Sequence, residues 1–196
     1  MKLVSICIAT YNRPAALLNC LNSICVAKKN FQIDFEVCIS DNDNKNTNLN
    51  IVNKYKSTLP ILYKQNGKNL GSAKNILLSS ELSTAKFIWL LGDDDMLLPN
   101  SFKIIDEITN NKNNFDVDFF FLNSICLNSD YVFSQEQPFN TNLLPTKITK
   151  FSNYKIEKKL EFKNLINPKI SFDFLGGQFL SLFKRSVWEK NKNILS

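Results

Sequence analysis

Three consecutive carboxylates, Asp93, Asp94 and Asp95, close the apolar run Phe87-Ile88-Trp89-Leu90-Leu91-Gly92. Adjacent Asp side chains repel one another and are costly to desolvate, so the arrangement is unfavourable in a half-buried segment unless positive charge is received there. In an extended segment alternate side chains share a face, which lets Asp93 and Asp95 converge on one ion while Asp94 points elsewhere or towards a ribose. Oxygen ligands from one or two carboxylates, completed by water and phosphate, are what Mg2+ or Mn2+ takes. Such an ion neutralises a diphosphate and stabilises it as a leaving group. Taken alone, the cluster reads equally well as a solvated turn after a buried strand.

The chain has no histidine. Acid-base or metal chemistry must therefore run on carboxylates, Lys, Tyr or Cys, which removes Ser-His-Asp, Cys-His and His-metal schemes within this sequence. Five cysteines, Cys7, Cys20, Cys25, Cys38 and Cys126, show no C-x-x-C spacing. Without a secretory signal they read as reduced, mostly buried thiols rather than a disulfide framework or zinc site. The expected location is the cytoplasm, including the inner face of the cell membrane through peripheral association, since no apolar run reaches bilayer-spanning length.

The elements that must position the carboxylates follow from periodicity. Leu3 to Thr10 is a β-rich run ending in Tyr11-Asn12-Arg13-Pro14, where Pro suits the first turn of a helix. Leu17, Leu18, Leu21 and Ile24 then recur at helical spacing from about Pro14 to Ala27. Phe35 to Ser40 is a second strand, broken by Asp41-Asn42-Asp43-Asn44; Leu49 to Tyr55 is a short helix and Pro60 to Gln65 a third strand. Ser72 is placed to cap the next helix, with Ala73, Ile76, Leu77 and Ser80 on its inner face, and Phe87 to Leu91 is the fourth strand. Repeated βα units imply right-handed crossovers and a parallel sheet, whose carboxyl edge gathers Tyr11, Asp41 and Asp93. Beyond Pro99 come a helix through Phe102, Ile105 and Ile108, a strand Val117 to Leu122, and a polar stretch from about Asn128 to Asn153 without clear period. A stretch that long is usually functional or mobile, and it is the candidate acceptor-side lid. A weak helical pattern runs from Leu160 to Ile166.

With 196 residues, 44% of them hydrophobic, the chain suffices for one α/β domain. Its net charge of +6 suits anionic ligands or an anionic membrane surface. The basic residues are dispersed, so no nucleic-acid partner is expected.

Four segments, Val4 to Pro14, Ile39-Ser40-Asp41-Asn42, Asn69 to Asn75 and Leu91-Gly92-Asp93-Asp94-Asp95, closely resemble family 2 glycosyltransferases in order and approximate spacing. From residue 100 onward the similarity is fainter and rests on Gly176-Gly177 to Trp188. The resemblance implies a GT-A (Rossmann-like) fold: a mostly parallel mixed central sheet flanked by helices. It implies one domain over 1–196, with a nucleotide-sugar-binding half to about 99 and an acceptor-side half from about 100, where family members usually continue past the point reached here.

The roles it implies are specific. Thr10 and Tyr11 contact the base, Tyr11 by stacking; Asp41 and Asn42 hydrogen-bond base or ribose. Asp93, Asp94 and Asp95 form the metal and diphosphate motif, with Asp93 and Asp95 as metal ligands. Lys74, where the family commonly has Arg, and Arg13 supply positive charge at the diphosphate. The family's acidic motif more often has Asp where Gly92 lies, and its inverting members place a carboxylate base a little before the Lys-Arg turn, for which Asp173 is the nearest acid. The implied reaction moves a sugar from a nucleotide-diphosphate donor, a UDP-sugar foremost, to an acceptor hydroxyl of a bacterial-type surface glycan or glycolipid, with inversion and a divalent metal.

Other readings of these residues stay open on sequence. Tyr11 also suits a strand-capping aromatic, Asp41 and Asn42 an Asx turn, Lys74 a solvated helix charge, and Asp173 a strand-edge residue. At the level of function, sugar-1-phosphate nucleotidylation would want a Gly-rich phosphate loop after the first strand, which Thr10 to Pro14 lacks. A domain that binds nucleotide or glycan without turnover is the non-enzymatic alternative.

Overall fold

A computed structural model describes residues 1–152, 159–161, 177 and 180–195. The chain builds β1 (Val4–Thr10), α1 (Pro14–Asn30), β2 (Phe35–Asp41), α2 (Thr47–Tyr55), β3 (Ile61–Gln65), α3 (Ser72–Glu81), β4 (Phe87–Gly92) and α4 (Ser101–Asn110). There follow β5 (Phe119–Phe121), β6 (Ile125–Cys126), α5 (Ser129–Ser134), β7 (Thr149–Lys150), β8 (Ser181–Lys184) and a helix Arg185–Leu195. The main sheet has the order β3-β2-β1-β4-β8-β5. β1 pairs in parallel with β2 and β4, and β2 with β3, while β8 runs antiparallel to both β4 and β5. This is the mixed, mostly parallel sheet flanked by helices that the sequence predicts.

Strands buried on both faces read as continuous apolar runs because helices cover them on each side. On one face Ile6, Ile8, Val37 and Ile39 pack against Leu17, Leu21, Ile24, Val52, Phe102 and Ile105. The alternate residues Cys7, Cys38 and Ile88 meet Leu77, Leu82 and Trp188 on the other face. All five cysteines are free thiols, four buried and Cys126 exposed.

Several local expectations are corrected. The strand foreseen from Val117 to Leu122 is confined to Phe119–Phe121. Ser72 is the first residue of α3 rather than its cap: Gly71 occupies the cap position with φ +82°, a left-handed conformation that lets the chain turn straight into the helix. Of the four residues expected on the inner face of α3, Ser80 is buried and Leu77 is half-buried against Cys7, Cys38 and Ile88, whereas Ile76 is half-buried and Ala73 exposed. Asn75, Leu78, Ser79 and Ser80 are its buried residues, because the Asn75 amide faces the sheet and donates to the Thr10 carbonyl at 2.9 Å.

The polar stretch after Asn128 is organised, not a plain loop. It contains α5, and β7 pairs with β6. Phe139 is buried, with its backbone N–H donating to Asn19 Oδ1 of α1 at 2.8 Å. Asn19 in turn donates to Gln137 Oε1 at 2.7 Å. The helical pattern from residue 162 onward and the positions Asp173, Gly176 and Gln178 lie outside the described residues. Among the described residues no helix is long and apolar enough to cross a membrane.

Candidate active site

Three neighbouring parallel strands finish together. Thr10 at the end of β1 is in register with Asp41 at the end of β2, and Ala9 with Gly92 at the end of β4. Loops leaving the carboxyl edge of such a sheet are where ligands bind in open α/β folds. The sheet thus brings together Thr10, Tyr11, Arg13, Asp41, Asn42, Asp93, Asp94 and Asp95, with Lys74 on the helix that packs behind.

The acidic segment is a turn, not an extended strand end as expected. β4 stops at Gly92, and Asp95 N–H donates to the Gly92 carbonyl at 3.2 Å. Asp95 Oδ2 accepts from the Gly92 N–H at 2.8 Å, so the carboxylate folds back over the strand terminus. A Cβ on residue 92 would stand 2.7 Å from Asp95 Oδ2 and 2.8 Å from Asp94 Oδ1, so both carboxylates would have to rotate to admit a side chain there.

Thr10 Oγ1 donates to Asp93 Oδ2 at 2.7 Å, and Arg13 spans two carboxylates, Nη1 to Asp93 Oδ1 and Nη2 to Asp94 Oδ2, each at 2.7 Å. Both oxygens of Asp93, which is 3% exposed, are therefore engaged. Burial pushes the Asp93 carboxyl up and the Thr10 and Arg13 contacts only partly restore it. Burial likewise raises Asp95 to about 6, against the pull of the Gly92 N–H and with the repulsion of Asp94 and Asp93 added.

Asp41 is fully buried. Its Oδ1 accepts from the Asp43 N–H at 2.8 Å and from Asn48 Nδ2 at 3.1 Å, and its Oδ2 from the Tyr63 hydroxyl at 2.7 Å. Burial, with Asp41 as hydrogen-bond acceptor, pushes the Tyr63 phenol well up. Asn48 also donates to Thr10 Oγ1 at 3.4 Å, which links the Asp41 group to the Asp93 group through Thr10. Asn42 is buried as well: Asn66 Nδ2 donates to its Oδ1 at 3.0 Å, and its own amide donates to Asn69 Oδ1 and the Gly71 carbonyl. Tyr11, by contrast, is 48% exposed in front of this layer, and Lys74 is exposed on α3.

Sequence reading missed Asn48, Asn75, Tyr63 and Asn19, each of which holds another site element in place. Tyr63 alternates with exposed neighbours along β3, a pattern visible in the sequence, but its partner across the sheet is not. The asparagines carry no periodic signal, being neither apolar nor charged.

Among the described residues no cluster of three or more His, Cys, Asp or Glu forms an all-protein metal cage. The acidic turn does fit a divalent cation shared with a diphosphate, which needs only one or two carboxylates. Asp94 and Asp95 each keep one oxygen outside the hydrogen bonds among the described residues, whereas Asp93 keeps none.

Comparison with known proteins agrees with this layout. The model of glycosyl transferase family 2 matches residues 5–184. The chain is 38% identical over 105 residues to abequosyltransferase RfbV of Salmonella typhimurium, covering 53% of this chain and 31% of that protein. It is 31% identical over 102 residues to an uncharacterized glycosyltransferase, the MG060 homolog of Mycoplasma pneumoniae, covering 50% and 33%. The chain thus spans about a third of the length of these curated relatives. Among solved structures, S. aureus TarS 1-349 in complex with UDP superposes with TM-score 0.66 at 17% identity, over 98% of this chain and 49% of that one. Mannosyltransferase PcManGT from Pyrobaculum calidifontis, in complex with GDP-Man and Mn2+, gives TM-score 0.51 at 14% identity over 62% and 35%. These structural likenesses carry the fold; the match over residues 5–184 carries the family, and the chain belongs to glycosyl transferase family 2.

Proposed function

We propose that this chain is a metal-dependent, inverting glycosyltransferase domain that takes a nucleotide-diphosphate sugar as donor and transfers the sugar to a hydroxyl of a glycan or glycolipid acceptor. The observation that carries the reading is the fork of Arg13 over Asp93 and Asp94 beside Thr10, at the edge where three parallel strands end. The UDP and UDP-GlcNAc complexes of TarS support a UDP-sugar as donor, and the abequosyltransferase relative supports glycosyl transfer.

Tyr11, the exposed aromatic of the strand-end layer, stacks on the nucleotide base. Asp41 and Asn42, buried behind it, set the position of the loop that meets base and ribose. Arg13 and Lys74 receive negative charge that develops on the departing diphosphate. Asp95, with Asp94 or, once released from Thr10 or Arg13, Asp93, would hold a Mg2+ or Mn2+, which would add to the neutralisation of that diphosphate. The acceptor hydroxyl, deprotonated by Asp173, attacks the anomeric carbon from the face opposite the leaving group, which inverts its configuration. Residues 1–99 serve the donor and the later segments the acceptor, at the cytoplasmic face of a membrane.

Titration with UDP, GDP and dTDP followed by Mn2+-dependent donor hydrolysis tests this. The expected result is binding of one nucleoside diphosphate and its metal-dependent release from the sugar donor, lost in Asp95→Ala. Binding without any metal-dependent release identifies a non-catalytic binding domain instead.

A further inference from the structure

Tyr11 is the site aromatic with least to hold it. Its ring is 48% exposed, and among the described residues its side chain makes no hydrogen bond and no ring contact. Such a ring loses freedom whenever it closes on a ligand, so the affinity it lends depends on how well the backbone already directs it. That direction is set in the short link from strand to helix. β1 ends at Thr10, Asn12 takes a left-handed φ of 51°, and α1 opens at Pro14. Rotating the peptide plane between Thr10 and Tyr11 swings the ring.

This peptide is held by donors from two elements. The Thr10 carbonyl accepts from the Asn42 N–H at 3.0 Å, just beyond β2, and from Asn75 Nδ2 of α3 at 2.9 Å. One donor fixes the distance to a carbonyl and leaves rotation about the bond; a second from a different element fixes the plane. Asn75 is 3% exposed, and its amide is oriented in turn: Oδ1 accepts from Asn66 Nδ2 at 3.1 Å. Asn66 Nδ2 also faces Ser40 Oγ at 2.9 Å and Asn42 Oδ1 at 3.0 Å. Reversing the Asn75 amide would set its oxygen against the Thr10 carbonyl and its NH2 against that of Asn66. A buried amide on the inner face of a helix costs stability unless paired, and both polar atoms of Asn75 are committed to this layer. The apolar packing of α3 comes instead from Leu77 and Leu78.

We infer that Asn75 is a positioning residue for recognition of the nucleotide base: through the Thr10–Tyr11 peptide it directs the Tyr11 ring, and Asn66 fixes the sense of its amide. The inference rests on the stacking role given to Tyr11 above and adds the residue that sets its geometry.

A double-mutant cycle on the full chain tests it, with UDP and inorganic pyrophosphate, each with Mg2+, titrated calorimetrically into the parent, Tyr11→Ala, Asn75→Ala and the double variant. Tyr11→Ala weakens UDP about tenfold, the scale of one lost base stack. Asn75→Ala weakens UDP about fivefold and leaves pyrophosphate, which has no base, within about twofold of the parent. In the Tyr11→Ala background Asn75→Ala causes no further loss, because no ring remains to be directed. A merely structural Asn75 would weaken UDP and pyrophosphate alike and add its loss to that of Tyr11→Ala; either result overturns the inference. Asn66→Ala keeps Asn75 but frees its amide to turn, so it shows the same base-dependent, Tyr11-dependent loss, and it takes the place of Asn75→Ala in the cycle if that variant does not fold. Tyr11→Ala binding UDP as tightly as the parent overturns the stacking role and the inference with it, whereas additive losses overturn the inference and leave stacking intact. GDP or dTDP replaces UDP as the probe if the parent prefers it; a parent that binds none of the three overturns the donor reading and this inference together.

Discussion

Thr10 and Asp93, 83 positions apart, are joined by a 2.7 Å hydrogen bond that ties the end of β1 to the first carboxylate of the acidic turn. The bond is buried, and it sits between the Asn48 amide on one side and the Arg13 fork on the other. Thr10→Val keeps the shape and removes the donor, leaving one oxygen of a buried carboxylate unmet at a cost of about 1–3 kcal/mol. The expected outcome is a lower unfolding temperature together with weaker donor turnover, with Thr10→Ser restoring most of both. Thermal denaturation and nucleoside diphosphate release check it.

Gly92 is a sharper probe of the turn. An added Cβ meets the carboxylate oxygens of Asp95 and Asp94 below 3.0 Å, but those are side-chain atoms that can rotate away. Gly92→Ala is therefore expected to fold, with an unfolding temperature within a few degrees of the parent. Donor turnover falls at least tenfold, because rotation of Asp95 breaks its bond from the Gly92 N–H. A fully active Gly92→Ala protein would show that the placement of Asp94 and Asp95 does not matter to turnover.

Far from the site, at the opposite edge of the sheet, Glu36 is fully buried on β2 and accepts from Lys2 Nζ at 2.7 Å, Ser5 Oγ at 2.6 Å and the Thr84 N–H at 2.6 Å. Burial pushes its carboxyl up, but the bonds from Lys2, Ser5 and Thr84 together outweigh this and hold it below its usual value. A carboxyl depressed in the folded state adds stability above its unfolded pKa, and that stability is lost as pH falls through the folded one. Glu36→Gln is expected to lower stability at pH 7 by about 2–3 kcal/mol, the scale of hydrogen bonds to a charged group. The gap between parent and variant should narrow as pH falls below about 4. Urea denaturation across pH 3 to 7 checks the sign.

How much of this was legible beforehand divides along physical lines. β1, α1, β2 and β4 were visible because burial on both faces forces unbroken apolar runs and Pro14 marks the first turn of α1. The strand-end gathering of Tyr11, Asp41 and Asp93 followed from topology alone. What the sequence hid is side-chain hydrogen bonding across the sheet. Nothing in the spacing says that Tyr63 serves Asp41, or that the polar Asn75 is buried on the inner face of α3 against the end of β1. The turn at Gly92 was misjudged because a strand reading extends easily into Asp93, whereas the Gly92 carbonyl and N–H both find their partners in Asp95. After Asn128, order comes from tethers such as Asn19 to Phe139, which leave no periodic trace.

Arg13 makes the last and most demanding prediction. One guanidinium serves two carboxylates, and a lysine ammonium, a point charge on a flexible stem, cannot hold both in the same geometry. Arg13→Lys thus keeps net charge but frees one of Asp93 and Asp94. Loss of the contact to buried Asp93 raises that carboxyl further, since Arg13 is among the groups that pull it down. A higher pKa means that Asp93 ionises only at higher pH, so the acidic limb of the turnover profile should move upward in Arg13→Lys and further in Arg13→Ala. Turnover at saturating donor falls about 10- to 100-fold in the lysine variant, the scale of one or two charge-assisted contacts. Asp94→Asn separates the two arms of the fork: it leaves the Asp93 contact intact and removes a charge that pushes the Asp93 and Asp95 carboxyls up, so turnover drops while the acidic limb moves down rather than up. An unshifted profile in Arg13→Lys would mean that Thr10 alone keeps Asp93 ionised.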